Sequence, residues 1–258
     1  MPARRRVART NVALAFPEAS PEERERIVRE SFRESGAAVA ETVCVWFRPF
    51  ERYRRRFSLE GTEHVDAALA GGGGVILLQA HFTCIDICAP PITSRWAAGI
   101  VYDSPKNPLY AALLAWQRSR WVAPMIDNRD IRTMVRHLRD GGIVWYSPDQ
   151  SVSRRHGGIA TRYFDQPVLT TGGTSRIVSM TGAAVIPHLP IRDPSTNRYT
   201  LRFLPPIRLP DGDTVAATQA VNDLLEGQVR EQPGQYLWVH KRFKPPTREH
   251  PDPYRRAP

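Results

Sequence analysis

A histidine and an aspartate lie five residues apart at the end of an apolar run. The run covers residues 75–80, His81 follows it directly, and Asp86 comes five residues later. An imidazole oriented by a carboxylate can take a proton from a hydroxyl, and the carboxylate then stabilises the imidazolium. Such a pair also occurs where it only stabilises a fold, so the position at a strand end is what favours catalysis. We predict that His81 is a general base for acyl transfer to an alcohol and that Asp86 is its partner.

Two cysteines near this pair add no separate chemistry. Cys84 lies between His81 and Asp86, Cys88 follows, and no basic cluster that would activate a thiol is evident beside them, so both are interpreted as small buried residues. A metal bound by His81 and Asp86 would need at least one further ligand, and the nearby sequence supplies none. We therefore expect neither a metal nor a cofactor.

Three arginines and a second aspartate are candidates for binding substrate. Arg118 and Arg120 end a predicted helix, where positive charge is also favourable for the helix itself. A guanidinium can instead bind a phosphate, or the charge that develops on a carbonyl oxygen during acyl transfer. Asp149 ends another apolar run and either orients Arg118 or a substrate sugar, or caps a turn. Arg129 is expected to extend the same basic wall.

The composition narrows the class of protein and of partner. The chain has 258 residues and a formal charge of +10, enough for one substantial core with a surface that attracts anions. Phosphates, acidic proteins and anionic membranes all fit that charge. Nucleic acid ranks last, because no recognised binding motif accompanies the arginines. Three cysteines are too few for a disulfide framework and fit a reducing, cytosolic setting.

Apolar runs alternate with helical patterns along the chain. A capping motif that begins at Ser20 predicts a helix over residues 21–47. Strands are predicted at 75–80, 99–102, 143–147, 184–189 and 199–204, and helices at 108–120, 131–139, 174–180 and 214–230. This order predicts an α/β sheet covered by helices, with chemistry at the carboxyl ends of strands. Residues 1–244 are expected to form one domain, followed by a loosely held Pro- and Arg-rich tail at 245–258.

The amino-terminal residues are basic but contain no apolar stretch long enough to span a membrane. The chain is nevertheless expected to lie on an anionic membrane surface, or else to present a solvated basic face. The residues that suggest the membrane are two groups of arginines and the aromatic residues between them: Arg4, Arg5, Arg6, Arg9, Arg52, Arg54, Arg55, Arg56, Trp46, Phe47, Phe50 and Tyr53.

Taken in order, several segments resemble the late acyltransferases of lipid A biosynthesis, the HtrB/LpxL family. The resemblance covers nearly the whole chain, and its closing motif is long enough to be specific. The matching segments are Arg5-Arg-Val-Ala-Arg-Thr-Asn-Val-Ala-Leu-Ala-Phe-Pro17, Val75-Ile-Leu-Leu-Gln-Ala-His-Phe82, Asn107-Pro-Leu109, Trp145-Tyr-Ser-Pro-Asp-Gln150, Thr170-Thr-Gly172, Met180-Thr-Gly-Ala-Ala-Val-Ile-Pro187 and Pro233-Gly-Gln-Tyr-Leu-Trp-Val-His-Lys-Arg-Phe-Lys244.

This resemblance implies a single-domain, glycerolipid-acyltransferase-like fold with a mixed central sheet flanked by helices. It implies transfer of a fatty acyl chain from acyl carrier protein, or from acyl-CoA, to a hydroxyl of a phosphorylated lipid A precursor at the cytoplasmic face of the inner membrane. By position, His81 is then the general base and Asp86 its partner. Arg118 and Asp149 fall where the family has functional residues, and Arg120 and Arg129 are their basic neighbours.

The sequence departs from the family pattern at three points. Many members have glutamate at the position of Asp86. They also share an Asn-Trp-Glu motif that is absent from this chain around Cys84. Members usually begin with a membrane-spanning helix that is absent here, so the chain is either truncated or binds the membrane peripherally. Two alternatives stay open: an acyltransferase for a lysophospholipid, aminolipid or glycolipid, and a non-catalytic membrane-surface protein that keeps the fold.

Overall fold

The computed structural model describes residues 2–103, 107–247 and 251–255. Within these residues the chain forms eight α-helices and nine β-strands. Part of the predicted tail, residues 248–250 and 256–258, lies outside the described residues.

The helices vary in length, from nine residues to the 27 residues of the second helix. They are α1 (Pro2–Ala15), α2 (Pro21–Phe47), α3 (Thr62–Ala70), α4 (Ile85–Thr93), α5 (Pro108–Arg118), α6 (Ile131–Arg139), α7 (Gly173–Thr181) and α8 (Thr214–Glu231).

Seven strands form one sheet and two form a separate hairpin. The strands are β1 (Phe57–Glu60), β2 (Val75–Leu78), β3 (Ala98–Tyr102), β4 (Met125–Asp127), β5 (Ile143–Tyr146), β6 (Gly158–Tyr163), β7 (Gln166–Thr171), β8 (Ala184–Asp193) and β9 (Arg198–Phe203). The large sheet has the order β1-β9-β8-β2-β5-β3-β4, and β6 pairs with β7. All neighbours in the large sheet are parallel except β8 and β9. The predicted mixed α/β fold is confirmed.

Strands β2 and β5 are the middle of this sheet. Every residue of β2 is buried, as expected for a strand that helices cover on both faces, which explains its uninterrupted apolar sequence. The two strands are parallel neighbours, with Leu78 opposite Tyr146. Their carboxyl ends therefore meet at one edge of the sheet, and residues that follow the two strands can come into contact.

The long helix α2 has the predicted bounds. The Ser20 side chain accepts a hydrogen bond from the Glu23 backbone N–H at 3.1 Å, and Pro21 opens the first turn. In the first half of the helix Ile27 and Val28 are buried, as their spacing predicts. In the second half Val39, Val43 and Phe47 are exposed, while Val45 is buried.

The tail is held more firmly than the sequence suggests. Tyr254 is buried, and its hydroxyl accepts a hydrogen bond from the Phe243 backbone N–H at 2.8 Å and donates one to the Asn11 side chain. The expectation of a loose tail was wrong for this residue, because an aromatic ring that can satisfy its hydroxyl gains from burial even in a polar segment. The domain boundary at residue 244 stays a prediction.

Candidate active site

His81 lies just beyond the carboxyl end of β2. A short stretch, Gln79 and Ala80, is fully buried and brings the chain from the strand to the histidine, whose side chain is 27% exposed. The imidazole is thus placed at the sheet edge, partly open to solvent. This position agrees with the sequence-based prediction.

Asp149 is the residue that contacts the imidazole. It follows β5 by three residues, is 1% exposed, and receives a hydrogen bond on Oδ1 from Nδ1 of His81. The His81 backbone N–H donates to Oδ2 of the same carboxylate at 3.0 Å. The expected partner of His81 was Asp86, and the structure places Asp149 there instead. The reason is topological, since adjacent parallel strands bring His81 and Asp149 together although they are 68 residues apart.

The two pKa values shift in opposite directions. Burial alone would lower the pKa of His81, but the charge of Asp149 and the hydrogen bond to it outweigh burial, so the pKa lies above its ordinary value. Arg118 opposes this rise with its positive charge. Burial would raise the pKa of Asp149, yet the charge of His81 and the hydrogen bonds hold it well below the usual range. The pair therefore favours an aspartate anion beside an imidazole that binds a proton readily.

A third side chain completes the contacts of Asp149. The buried hydroxyl of Tyr236 donates to Oδ2 at 2.9 Å. Sequence reasoning assigned Tyr236 no role, although it lies inside the long closing motif that carried the family resemblance. That motif was the only sequence signal for it, because the contact joins residues 87 positions apart.

Asp86 and Arg118 form a second charge pair. Asp86 lies in the first turn of α4 and Arg118 is the last residue of α5, and Nε of Arg118 donates to Oδ1 of Asp86 at 2.9 Å. Both side chains are about one quarter exposed. Orienting Arg118 was one of the three roles that the sequence left open for Asp149, and in the structure Asp86 makes that contact. The charge of Arg118 also acts on the pKa of His81, so the two pairs are linked electrostatically.

The other two predicted arginines have different surroundings. Nη1 of Arg120 donates to the Trp46 backbone carbonyl at 2.8 Å, so this side chain joins the end of α5 to the end of α2. Arg129 is exposed in the loop after β4, with β3 and β5 between that strand and β2. The Arg120 contact and the position of Arg129 do not place either side chain beside His81. Their role in binding substrate stays a prediction.

Cys84 and Cys88 are both buried. Burial, followed by the contact with Cys84, raises the pKa of Cys88 well above that of an ordinary thiol, which disfavours the thiolate. Among the residues that the structure describes, no group of three His, Cys, Asp or Glu side chains could hold a metal ion.

Comparison with known proteins decides the family. The family model described as bacterial lipid A biosynthesis acyltransferase matches residues 1–245. The chain belongs to this family. The resemblance drawn from the sequence motifs is therefore confirmed, and the protein is an acyltransferase of the lipid A biosynthesis type.

Individual relatives of the family agree with this assignment. A lipid A biosynthesis lauroyltransferase of Escherichia coli K12 is 33% identical over 245 residues, which are 95% of this chain and 80% of the relative. A palmitoleoyltransferase of the same strain is 31% identical over 241 residues, or 93% and 79% of the two chains. A myristoyltransferase is 28% identical over 255 residues, or 98% and 79%. The family thus contains relatives whose names differ in the acyl group transferred.

The length and polarity of the helices bear on how such an enzyme meets lipid. In the part of the chain that the structure describes, no helix combines the length and the apolar character needed to cross a bilayer.

Proposed function

We propose that this acyltransferase moves a fatty acyl group from the thioester of acyl carrier protein to a hydroxyl of a lipid A precursor, with His81 as general base. The observation that carries the proposal is the hydrogen bond between Nδ1 of His81 and the buried carboxylate of Asp149. It fixes the ring orientation and leaves Nε2 as the nitrogen that meets the acceptor hydroxyl. Asp149 takes the role that the sequence suggested for Asp86.

The proposed reaction is a direct transfer. Nε2 of His81 removes the hydroxyl proton while the oxygen attacks the thioester carbonyl, and Asp149 stabilises the imidazolium that forms. The tetrahedral intermediate then expels the carrier thiolate, breaking the C–S bond, and the imidazolium returns its proton to the sulfur. The buried thiols of Cys84 and Cys88 take no part.

Arg118 is the candidate donor for the oxyanion of that intermediate. Asp86 holds its Nε, which leaves the two terminal nitrogens of the guanidinium for a ligand. Its positive charge also favours a carbonyl oxygen that becomes negative. Asp86 therefore acts by placing Arg118, and this is the catalytic contribution that we assign to it.

The charge of the protein suits both substrates. Acyl carrier protein and a phosphorylated lipid acceptor are anionic, and the chain carries a formal charge of +10. Acyl-CoA, the other donor considered, is a smaller anion with the same thioester. A comparison of the two donors in one assay therefore settles the donor class.

The direct test is transfer by purified protein in vitro. Labelled acyl carrier thioester would be supplied with a lipid A precursor, a lysophospholipid, an aminolipid or a glycolipid. We expect acylation of the lipid A precursor, and we expect His81→Ala to lower its rate by roughly 10³-fold or more, since general bases contribute on that order. The matched control is His156→Ala, because His156 lies on an exposed loop and contacts Ser153.

Each other result has a distinct meaning. Acylation of another acceptor alone would keep the enzyme class and replace the lipid A precursor. Full activity of the His81→Ala protein would remove the general base. No thioester consumption by a folded protein with any acceptor would favour the non-catalytic alternative.

We further propose that the protein binds an anionic membrane through exposed residues of α2 and α5. This apolar face consists of Val39, Val43, Phe47, Leu109, Leu113 and Trp116. Phe47 is 71% exposed and Leu109 is 80% exposed, which is unusual for large apolar side chains. The hydrogen bond from Arg120 to Trp46 holds the two helix ends together.

The basic residues of the membrane hypothesis divide into two groups. Arg5 and Arg9 of α1 form ion pairs with Glu25, so they are already partnered. Arg52, Arg54 and Arg55, which follow α2, are exposed and adjoin the apolar face in sequence. Anionic headgroups beside such arginines and acyl chains against the apolar face fit a peripheral, cytoplasmic-side location on the inner membrane.

Vesicle flotation tests this surface. We expect the protein to float with phosphatidylglycerol-containing vesicles and much less with phosphatidylcholine alone. Replacing Phe47 and Trp116 together by serine should abolish most of that binding, whereas the control change of Met180 and Val215 to serine, which removes exposed apolar side chains elsewhere, should not. Equal binding by both double variants would contradict the proposed face.

A further inference from the structure

Tyr236 contacts the oxygen of Asp149 that the imidazole does not contact. Its hydroxyl donates to Oδ2, while Nδ1 of His81 donates to Oδ1. Burial raises the pKa of Tyr236 well above its ordinary value, so the phenol keeps its proton and remains a donor. The His81 backbone N–H donates to the same Oδ2 at 3.0 Å, so the carboxylate is held on both oxygens and has little freedom to rotate.

The backbone around Tyr236 also holds the backbone around His81. The Leu237 N–H donates to the His81 carbonyl at 2.9 Å, and the Thr83 N–H donates to the Gln235 carbonyl at 2.9 Å. Between these bonds Phe82 and Tyr236 form an isolated antiparallel bridge. The segment 235–237, named here the closing segment, therefore fixes the histidine by its backbone and the aspartate by a side chain.

The closing segment is in turn attached to three other elements. Ser31 of α2 donates its hydroxyl to the Tyr236 carbonyl at 2.7 Å. The side chain of Gln235 donates to the Arg192 carbonyl of β8 at 2.7 Å and accepts from the Arg192 N–H at 2.9 Å. Just beyond the segment, the Asn11 amide of α1 donates to the Trp238 carbonyl at 2.6 Å. A contact on each of these elements keeps the segment in register with His81.

We propose that Tyr236 is a positioning residue of this acyltransferase, which holds the Asp149 carboxylate so that it orients His81 and limits the basicity of the imidazole. The proposal rests on the role of His81 proposed above. It adds a residue that does not touch the substrate and acts only through Asp149.

The hydroxyl of Tyr236 limits the basicity of His81 through the charge of Asp149. A donor to Oδ2 draws negative charge away from the oxygen that faces the imidazole. Without that donor the carboxylate attracts the imidazolium more strongly, and the pKa of His81 rises. A base that stays protonated to higher pH is less available near neutrality, so the acid limb of the activity profile moves to higher pH.

Other charged or titratable groups act on this pair and must stay constant in a test. They are Arg118, Tyr163, His240 and Arg242. Arg242 is buried and donates to the Leu169 carbonyl at 3.0 Å and to Oγ1 of Thr170 at 2.7 Å, so its place does not depend on Tyr236.

The experiment is Tyr236→Phe in the full chain. The ring should keep its edge contacts with Phe82 and Trp238, at centroid distances of 6.3 and 4.7 Å, so the variant should fold. We expect kcat to fall roughly 10- to 100-fold, which is what loss of a hydrogen bond to a charged group amounts to as a rate. We also expect the acid limb of kcat/KM to move to higher pH.

A measurement that does not depend on enzyme activity can test the role of Tyr236 independently of the proposed reaction. The pKa of His81 can be followed by NMR of ¹³C-histidine protein, with the His81 signal assigned from the His81→Ala variant. Tyr236→Phe should raise that pKa, and 3,5-difluorotyrosine at position 236, a stronger donor, should lower it. These shifts are expected even if the acceptor or donor proves different.

Tyr254→Phe is the matched control, because it also removes a buried phenol hydroxyl near the carboxyl end of the chain. That hydroxyl contacts Phe243 and Asn11 and does not contact Asp149. Its removal should leave the pKa of His81 and the pH profile unchanged. An unshifted His81 pKa in Tyr236→Phe, or an equal shift in Tyr254→Phe, would overturn the positioning role.

Discussion

His81–Asp149 and Asp86–Arg118 are two charge pairs of one site that rest on different kinds of element. His81 and Asp149 follow neighbouring strands at the centre of the sheet, and the aspartate is 1% exposed with three hydrogen bonds to it. Asp86 and Arg118 lie at the ends of two helices and are 27% and 23% exposed, joined by one hydrogen bond. The carboxylate of the first pair is buried and held by three donors, while His81 itself is 27% exposed. In the second pair both the acid and the base are partly exposed.

This difference suggests a division of work. A proton acceptor needs a fixed orientation and a raised pKa, and both come from contact with a buried charge that is itself held by donors. A group that meets a charged substrate needs access and some freedom to adjust. In this site the strand ends hold the proton acceptor, and the helix ends hold the group that meets the substrate.

Removing the charge of each aspartate should separate the two pairs most clearly. Asp149→Asn keeps the shape but removes the anion that raises the pKa of His81, so we expect kcat/KM to fall by roughly two to four orders of magnitude. Because the pKa of His81 falls, the acid limb of the remaining activity should move to lower pH. Measurement of kcat/KM from about pH 5 to 9 gives both effects.

Asp86→Asn is the comparison for that experiment. It releases Arg118 but leaves the hydrogen bond to His81 in place, so a loss of about tenfold is expected, as for one exposed contact to a charged group. If Asp86→Asn were instead the more damaging change and shifted the acid limb, Asp86 would be the partner of His81, as the sequence alone suggested.

The sequence predicted the members of the site better than their pairing. His81, Arg118 and Asp149 were selected because each ends an apolar run or a helix, and such positions meet at one edge of an α/β sheet. Asp86 was selected because it lies five residues after His81. The partners could not be read from spacing, since His81 and Asp149 meet only after β2 and β5 pair. A five-residue interval that crosses into a new helix favours Asp86 in sequence, but that helix directs its first turn toward α5.

Changing the charge of Arg118 should have the next largest effect, with the opposite sign on the pH profile. Arg118→Gln removes a cation that lowers the pKa of His81, so the acid limb should move to higher pH. If Arg118 also binds the oxyanion, kcat should fall roughly 10²- to 10³-fold. A full pH–rate profile with saturating acceptor separates the shift from the loss in rate.

Arg118→Lys isolates the geometry from the charge. Lysine keeps the cation but lacks the fork that can contact Asp86 and an oxyanion together. We expect a reduced kcat with an acid limb close to that of the unmodified protein. A shifted limb in Arg118→Lys would mean that orientation, and not charge, couples Arg118 to His81.

The fold was predictable where the pattern of burial is simple. Five strands of the large sheet, β2, β3, β5, β8 and β9, and helices α2, α6 and α8 were predicted within about four residues, because apolar runs and capping residues mark them. The short edge strands β1 and β4 were not predicted. Helix α4 was missed: Pro90 and Pro91 lie inside it, and prolines normally argue against a helix interior. Helix α1 was read as a basic segment, because its burial depends on contacts with residues more than 200 positions away, such as that of Asn11 with Trp238.

The smallest expected effect comes from lengthening Asp86 by one methylene, with the same change at Asp149 as its comparison. Asp86→Glu should change kcat/KM by no more than a few-fold, because Asp86 and Arg118 are both partly exposed and can move to restore one hydrogen bond. Asp149→Glu should be far more damaging, since its buried carboxylate has donors on both oxygens and no space for an extra methylene without displacing them. Activity of the two variants, with folding checked by thermal unfolding, gives the comparison. Similar losses in both would mean that Asp86 is held as tightly as Asp149, and the division between a rigid and an adjustable pair would then fail.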